Sequence, residues 1–133
     1  MSEDYIEIGV AIIKKGPQVL VGKRPLGKAS PGRWEFPGGK IEPGEWPEVC
    51  IVREIEEELG IKVANLKLLN VQDHQYPNGE KFRLHFYFCE VVAGEPQSLW
   101  HDEIKWIEAE KLETIDLLAA DIGLVPLIQE KLV

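Results

Sequence analysis

Alternating apolar and polar positions, broken by Gly and Pro, divide the chain into short elements. Tyr5 to Ile13 and Gln18 to Lys23 are rich in β-branched residues, and Lys15-Gly16-Pro17 between them predicts a hairpin. Pro25 to Lys40 carries three Pro and four Gly, too many for regular structure, so a shaped loop is expected there. Long ordered loops of this kind usually carry function. Pro47 to Leu59 is the clearest helix: Pro47 suits the first turn and Gly60 is placed to end it. Val63 to Gln75 predicts one or two strands and Phe82 to Val92 another, with Pro77-Asn78-Gly79 turning between them. In the latter strand Phe82, Leu84, Phe86 and Phe88 share one face, read as core. Arg83, His85 and Tyr87 share the other, which meets solvent or whatever covers the sheet. Ile104 to Ile107 predicts a short strand, Ala109 to Thr114 a helical turn, and Gly123 to Leu132 a last amphipathic helix.

With 133 residues and neither internal repeat nor linker, a single domain spanning 1–133 is expected. Composition is that of a globular protein, 44% apolar and 29% charged. The net charge of −8 argues against binding a long polyanion, because Lys and Arg supply most of that affinity. A small nucleotide carried in with a divalent cation remains compatible with it. Gly9 to Ile13 is too short for a signal core or a membrane span, so a cytoplasmic protein without a membrane partner is expected. Cys50 and Cys89 form no C-x-x-C pair and read as buried small hydrophobes.

The charge is concentrated. Gly39 to Ile61 holds seven acids and two bases, a balance of −5, whereas the other 110 residues carry 16 acids and 13 bases. On the helix, Glu54, Glu57 and Glu58 fall within about a third of the circumference, opposite Val52, Ile55 and Leu59. Glu54 and Glu58 are a like-charge i, i+4 pair that costs roughly 0.2–0.5 kcal/mol. Their position in the C-terminal half of the helix sets each against the macrodipole by roughly 0.3–1 kcal/mol. A solvated acidic face would be better served by interspersed Lys. A hard divalent cation such as Mg²⁺, with Mn²⁺ as a substitute, resolves the repulsion and leaves coordination positions for water and phosphate.

Gly39, Glu45, Arg53, Glu54, Ile55, Glu57, Glu58, Gly60 and Ile61 fill every specified position of G-x(5)-E-x(7)-R-E-U-x-E-E-x-G-U, where U is aliphatic. This segment resembles the Nudix box. Arg33 to Lys40, together with Gly94-Glu95-Pro96 and Trp106, is similar to the flanking regions of MutT-type nucleoside triphosphate hydrolases, so the likeness covers nearly the whole chain. The resemblance implies an α/β/α sandwich with a mixed β-sheet. It also implies Mg²⁺-dependent hydrolysis of a (deoxy)nucleoside triphosphate to the monophosphate and pyrophosphate, with 8-oxo-dGTP as a candidate substrate.

Carried over by position, the resemblance makes Glu54, Glu57, Glu58 and the carbonyl of Gly38 metal ligands, with Arg53 orienting the carboxylates. Glu45 is expected to be structural. The Gly38-Gly39 pair lets backbone approach metal and phosphate, and Lys40 is a candidate phosphate contact. Arg24, Glu35 and Phe36 match nucleotide-contacting positions, although Phe36 serves equally well as core. Asp121 stands where enzymes for oxidised guanine nucleotides tend to have Asn. An ionised Asp only accepts hydrogen bonds, which puts guanine specificity in doubt and resembles a CTP-directed branch. Trp100 occupies the position of a usual Glu that binds metal or accepts a proton. Either Asp102 or Glu103 serves after a local shift, with His101 a weaker candidate base, or substrate and rate have changed. Hydrolysis of nucleotide sugars or dinucleotide polyphosphates, and a nucleotide-binding module with impaired catalysis, are the competing readings. Both monomers and homodimers occur among such proteins.

Overall fold

The structure is a computed structural model that describes residues 4–132. Its centre is a sheet of seven strands: β1 (Tyr5–Lys15), β2 (Gln18–Lys23), β3 (Trp34–Glu35), β4 (Gly38–Lys40), β5 (Lys62–Gln75), β6 (Lys81–Ala93) and β7 (Glu103–Glu108). The main path runs β3-β2-β1-β6-β5, with β4 paired to β1 and β7 to β2. The sheet is mixed, because β1 and β6 are parallel while the other pairings are antiparallel.

Helix α1 (Pro47–Leu59) covers one face. Its Ile51, Ile55 and Leu59 pack with Ala11 and Ile13 of β1 and with Tyr87 and Cys89 of β6. The opposite face carries Val10, Ile12, Leu84, Phe86 and Phe88 against α2 (Ala119–Ile122) and α3 (Val125–Leu132). Side-chain alternation along β1 and β6 thus feeds two cores, one on each side, which produces the expected α/β/α sandwich. Phe82, Leu84, Phe86 and Phe88 share the α3 side as expected, and Tyr87 is buried on the α1 side.

Helix α1 begins at Pro47 and ends where Gly60 adopts φ 69°, a left-handed cap whose N–H donates to the Glu56 carbonyl. The segment 25–40, expected to be loop throughout, contains two short strands. Trp34 pairs with Lys23, and Gly38 to Lys40 pairs with Val10 to Ile8. Glycines suit a strand where backbone must approach closely. The last helix starts at Val125 rather than Gly123, after a separate short turn of helix at Ala119–Ile122 that alternation did not reveal. Cys50 and Cys89 are buried and free, and burial pushes their thiols up to about 11 and about 12, which keeps them unreactive. Among the described residues no helix is long and apolar enough to cross a membrane.

Candidate active site

The acidic helix is organised by one cation. Arg53 donates from Nε and NH2 to the two carboxylate oxygens of Glu45 at 2.9 Å each, and from NH1 to Glu54 Oε1 at 2.8 Å. Its NH2 also reaches the Lys40 carbonyl at 3.3 Å. The planar fork therefore ties the turn before α1, the end of β4 and the first carboxylate of the acidic run into one unit. Hydrogen bonds from Arg53 and from the Glu42 N–H hold the Glu45 carboxyl down at about 2. Glu45 is thereby a support for Arg53 and stands apart from the reacting region.

Glu54 and Glu58 line a cavity of about 860 Å³ together with Gly38 and Gly39. A Cβ at Gly39 would overlap the Glu54 carboxyl group, so only glycine lets that side chain lie against β4. Glu58 is 9% exposed, and its Oε1 has no hydrogen-bond partner. Burial, then the nearby charges of Glu35 and Glu54, push its carboxyl up to about 9. A buried acceptor without a partner is costly and calls for an explanation. An oxygen-seeking cation fits it, because it would supply the missing partner and neutralise the repulsion with Glu54.

Glu57 departs from the expected convergence. It is largely exposed, lies 3.7 Å from Arg53 NH1, and lines a groove on the outer side of α1 rather than the cavity. Among the described residues no three His, Cys, Asp or Glu side chains converge closely enough to chelate an ion. Of the three carboxylates, Glu54 and Glu58 alone line the cavity.

At the other end of the cavity, β2, β3 and α2 assemble a second set of groups. Arg24 NH1 donates to Glu35 Oε1 at 2.8 Å, and Arg24 Nε donates to the Ala29 carbonyl at 2.6 Å. The Phe36 N–H donates to Asp121 Oδ2 at 3.1 Å. Asp121 is 2% exposed, and burial, reinforced by the charge of Glu35, pushes its carboxyl up to about 8. Arg24, Glu35, Phe36, Lys40 and Asp121, all expected substrate contacts, line this one cavity. Phe36 also belongs to the core beneath the cavity.

The expectations for the carboxylate replacing the usual Glu fare differently. Asp102 and Glu103 are exposed at the start of β7 and do not line the cavity. His101 is buried and bonded to Glu35 Oε2 at 3.0 Å, so it does not face the carboxylate helix as a base. Glu103 pairs with Lys23 where β7 begins on β2. Trp100 does line the cavity, as do Tyr76 and Phe82. Sequence reasoning left all three out of the site. The only signal was the mismatch of Trp100 with the family pattern.

The family model for the NUDIX domain matches residues 6–128. The chain belongs to the Nudix family. It is a MutT-like Nudix hydrolase acting on diphosphate bonds. It is 35% identical over 121 residues to the CTP pyrophosphohydrolase of Escherichia coli, covering 90% of this chain and 88% of that protein. It is 31% identical over 117 residues to the 8-oxo-dGTP diphosphatase of the same organism, covering 87% and 90% respectively. The crystal structure of a MutT Nudix hydrolase from Burkholderia pseudomallei superposes with a TM-score of 0.82 at 30% identity, covering 93% of this chain and 98% of that one.

Proposed function

We propose that this Nudix hydrolase cleaves a (deoxy)nucleoside triphosphate to the monophosphate and pyrophosphate in the cytoplasm, using Mg²⁺. The observation that carries the reading is the continuity of one cavity from Glu54 and the unpartnered Glu58 oxygen to Phe36 and Asp121. Such a cavity accommodates phosphates at the carboxylate end and a base at the other. Glu54 and Glu58 would hold the cation, joined by Glu57 after a side-chain rotation and by the Gly38 carbonyl. When bound, the cation neutralises phosphate charge and lowers the pKa of a water molecule. The protein's own part is to hold Glu54 in place through Arg53, to present Lys40 to phosphate, and to exclude water from the base end with Phe36, Tyr76 and Phe82.

Asp121 bears on the choice of base. With its carboxyl pushed up to about 8, it is neutral at pH 7 and can donate from one oxygen while accepting on the other. In that form it substitutes for Asn, which supports 8-oxo-dGTP as a substrate. In its ionised form it is an acceptor only and suits the exocyclic amine of cytosine, which supports CTP or dCTP as the second reading. Purified protein incubated with Mg²⁺ and a panel of (d)NTPs, 8-oxo-dGTP, ADP-ribose and diadenosine polyphosphates, with products separated by anion exchange, tests the reading. Monophosphate plus pyrophosphate from triphosphates is expected; orthophosphate alone, or no turnover, would sink it.

A further inference from the structure

The segment after β6 is tied to the acidic helix. Gln97 N–H donates to the Leu59 carbonyl at 2.9 Å and Leu99 N–H to the Glu58 carbonyl at 3.1 Å, satisfying two of the carbonyls that a helix leaves open at its C-terminus. At its far end, Asp102 N–H donates to the Lys23 carbonyl at 3.0 Å. This strap runs from the last turn of α1 to the end of β2 and lays Trp100 and His101 against the Arg24–Glu35 pair.

The contacts are specific. His101 Nε2 lies 3.0 Å from Glu35 Oε2, while Arg24 holds the other oxygen, so the Glu35 carboxylate is clamped from both sides. Because a carboxylate accepts, Nε2 must donate, and Nδ1 is left buried without a partner. A core position filled for packing alone would avoid that penalty with a Leu. Gly22 answers to the same imidazole, since a Cβ there would overlap the His101 ring. Trp100 meets the edge of His101 at 4.9 Å between ring centroids, and the Arg24 guanidinium lies 5.6 Å from the Trp100 ring centroid. The Arg24–Glu35 pair acts electrostatically on both Glu58 and Asp121, and so stands between the two ends of the cavity.

Resting on the reading of the cavity as a nucleotide site, we propose that His101 and Trp100 are positioning residues for substrate: they lock the Glu35 carboxylate and the Arg24 guanidinium in the one arrangement that seats the nucleoside between the metal end and the base end. Trp100 then has a role in place of the carboxylate usual at that position. It offers the Arg24 guanidinium a cation–π partner rather than exchanging a proton.

Steady-state kinetics of His101→Leu, His101→Gln, Trp100→Ala, Trp100→Phe and Trp100→Glu, with calorimetric binding of the product monophosphates, tests the proposal. Losing a hydrogen bond to a charged group should raise KM and weaken monophosphate binding roughly tenfold in His101→Leu, with kcat changed less. His101→Gln, which keeps an amide donor near Nε2, should recover most of that loss. Trp100→Ala should raise KM and Trp100→Phe should largely preserve it. An unchanged KM in both His101→Leu and Trp100→Ala, or a kcat loss without a KM change, would overturn the proposal. So would a gain in kcat of about tenfold or more in Trp100→Glu, which would mark the position as a vacant proton-transfer site. If His101→Leu does not fold, the Trp100→Ala and Trp100→Phe comparison decides. Failure of the wild-type protein to bind any monophosphate would instead count against the nucleotide-hydrolase reading itself.

Discussion

The Phe36 N–H donates to Asp121 Oδ2 across 3.1 Å, joining residues 85 positions apart at the base end of the cavity. This bond occupies one of the two Asp121 oxygens. Since burial pushes the carboxyl up to about 8, its hydrogen-bonding character changes within a usable pH range. The ratio of kcat/KM for 8-oxo-dGTP over CTP should fall as pH rises from about 7 to about 9, as the carboxyl loses the proton it can donate. In Asp121→Asn the ratio should fall less, by only as much as ionisation of the purine base itself contributes. Taking a ratio cancels titration of groups common to both substrates. Equal pH dependence in the two proteins would contradict the assignment.

Glu58 and Asp121 also contribute to how stability varies with pH when metal is absent. Both carboxyls are raised in the folded protein, to about 9 and about 8, while in the unfolded chain they ionise near their ordinary values. Between those limits the unfolded state has released protons that the folded state retains. Their contribution is therefore fullest below about pH 4 and is lost as pH rises toward 8–9. In thermal denaturation with chelator near pH 8, Glu58→Gln should be more stable than the wild type by on the order of 1–3 kcal/mol. Mg²⁺ should narrow the gap, because it stabilises only the protein that binds it.

Arg53 is held by a geometry that lysine cannot reproduce. Arg53→Lys keeps the charge but not the fork that engages Glu45 and Glu54 together. Turnover should drop by about 10²-fold, comparable to removing one preorganised electrostatic partner. KM should change less, and steady-state kinetics separates the two.

A side chain at Gly39 should displace Glu54. In Gly39→Ala the Cβ overlaps the Glu54 carboxyl, which must swing away from β4. The displaced carboxylate should lower turnover at sub-saturating Mg²⁺ more than at saturating Mg²⁺, which a metal titration of the rate would read.

Local chemistry made much of this legible in the sequence. Pro47 and Gly60 bracket α1 because one suits a first turn and the other a left-handed cap, and alternation along Phe82 to Phe88 marked the buried face of β6. The acidic spacing pointed to Glu54 and Glu58. What it could not convey was tertiary. Helical periodicity groups Glu57 with them, yet Glu57 lies beside Arg53 and outside the cavity. The strands at Trp34–Glu35 and Gly38–Lys40 exist only through pairing with distant segments. The burial of His101 against Glu35 depends on the absent side chain of Gly22, a relationship that spacing does not encode.

Glu54 and Glu58 are proposed to form the metal end of a nucleotide-hydrolysing cavity. Pyrophosphate release measured across a Mg²⁺ titration in the wild type, Glu54→Gln, Glu57→Gln and Glu58→Gln tests it most directly. Strict dependence on divalent metal is expected, with a loss of at least about 10²-fold in Glu54→Gln and Glu58→Gln and a smaller loss in Glu57→Gln. Wild-type rates in both Glu54→Gln and Glu58→Gln, or turnover undiminished by chelator, would contradict it.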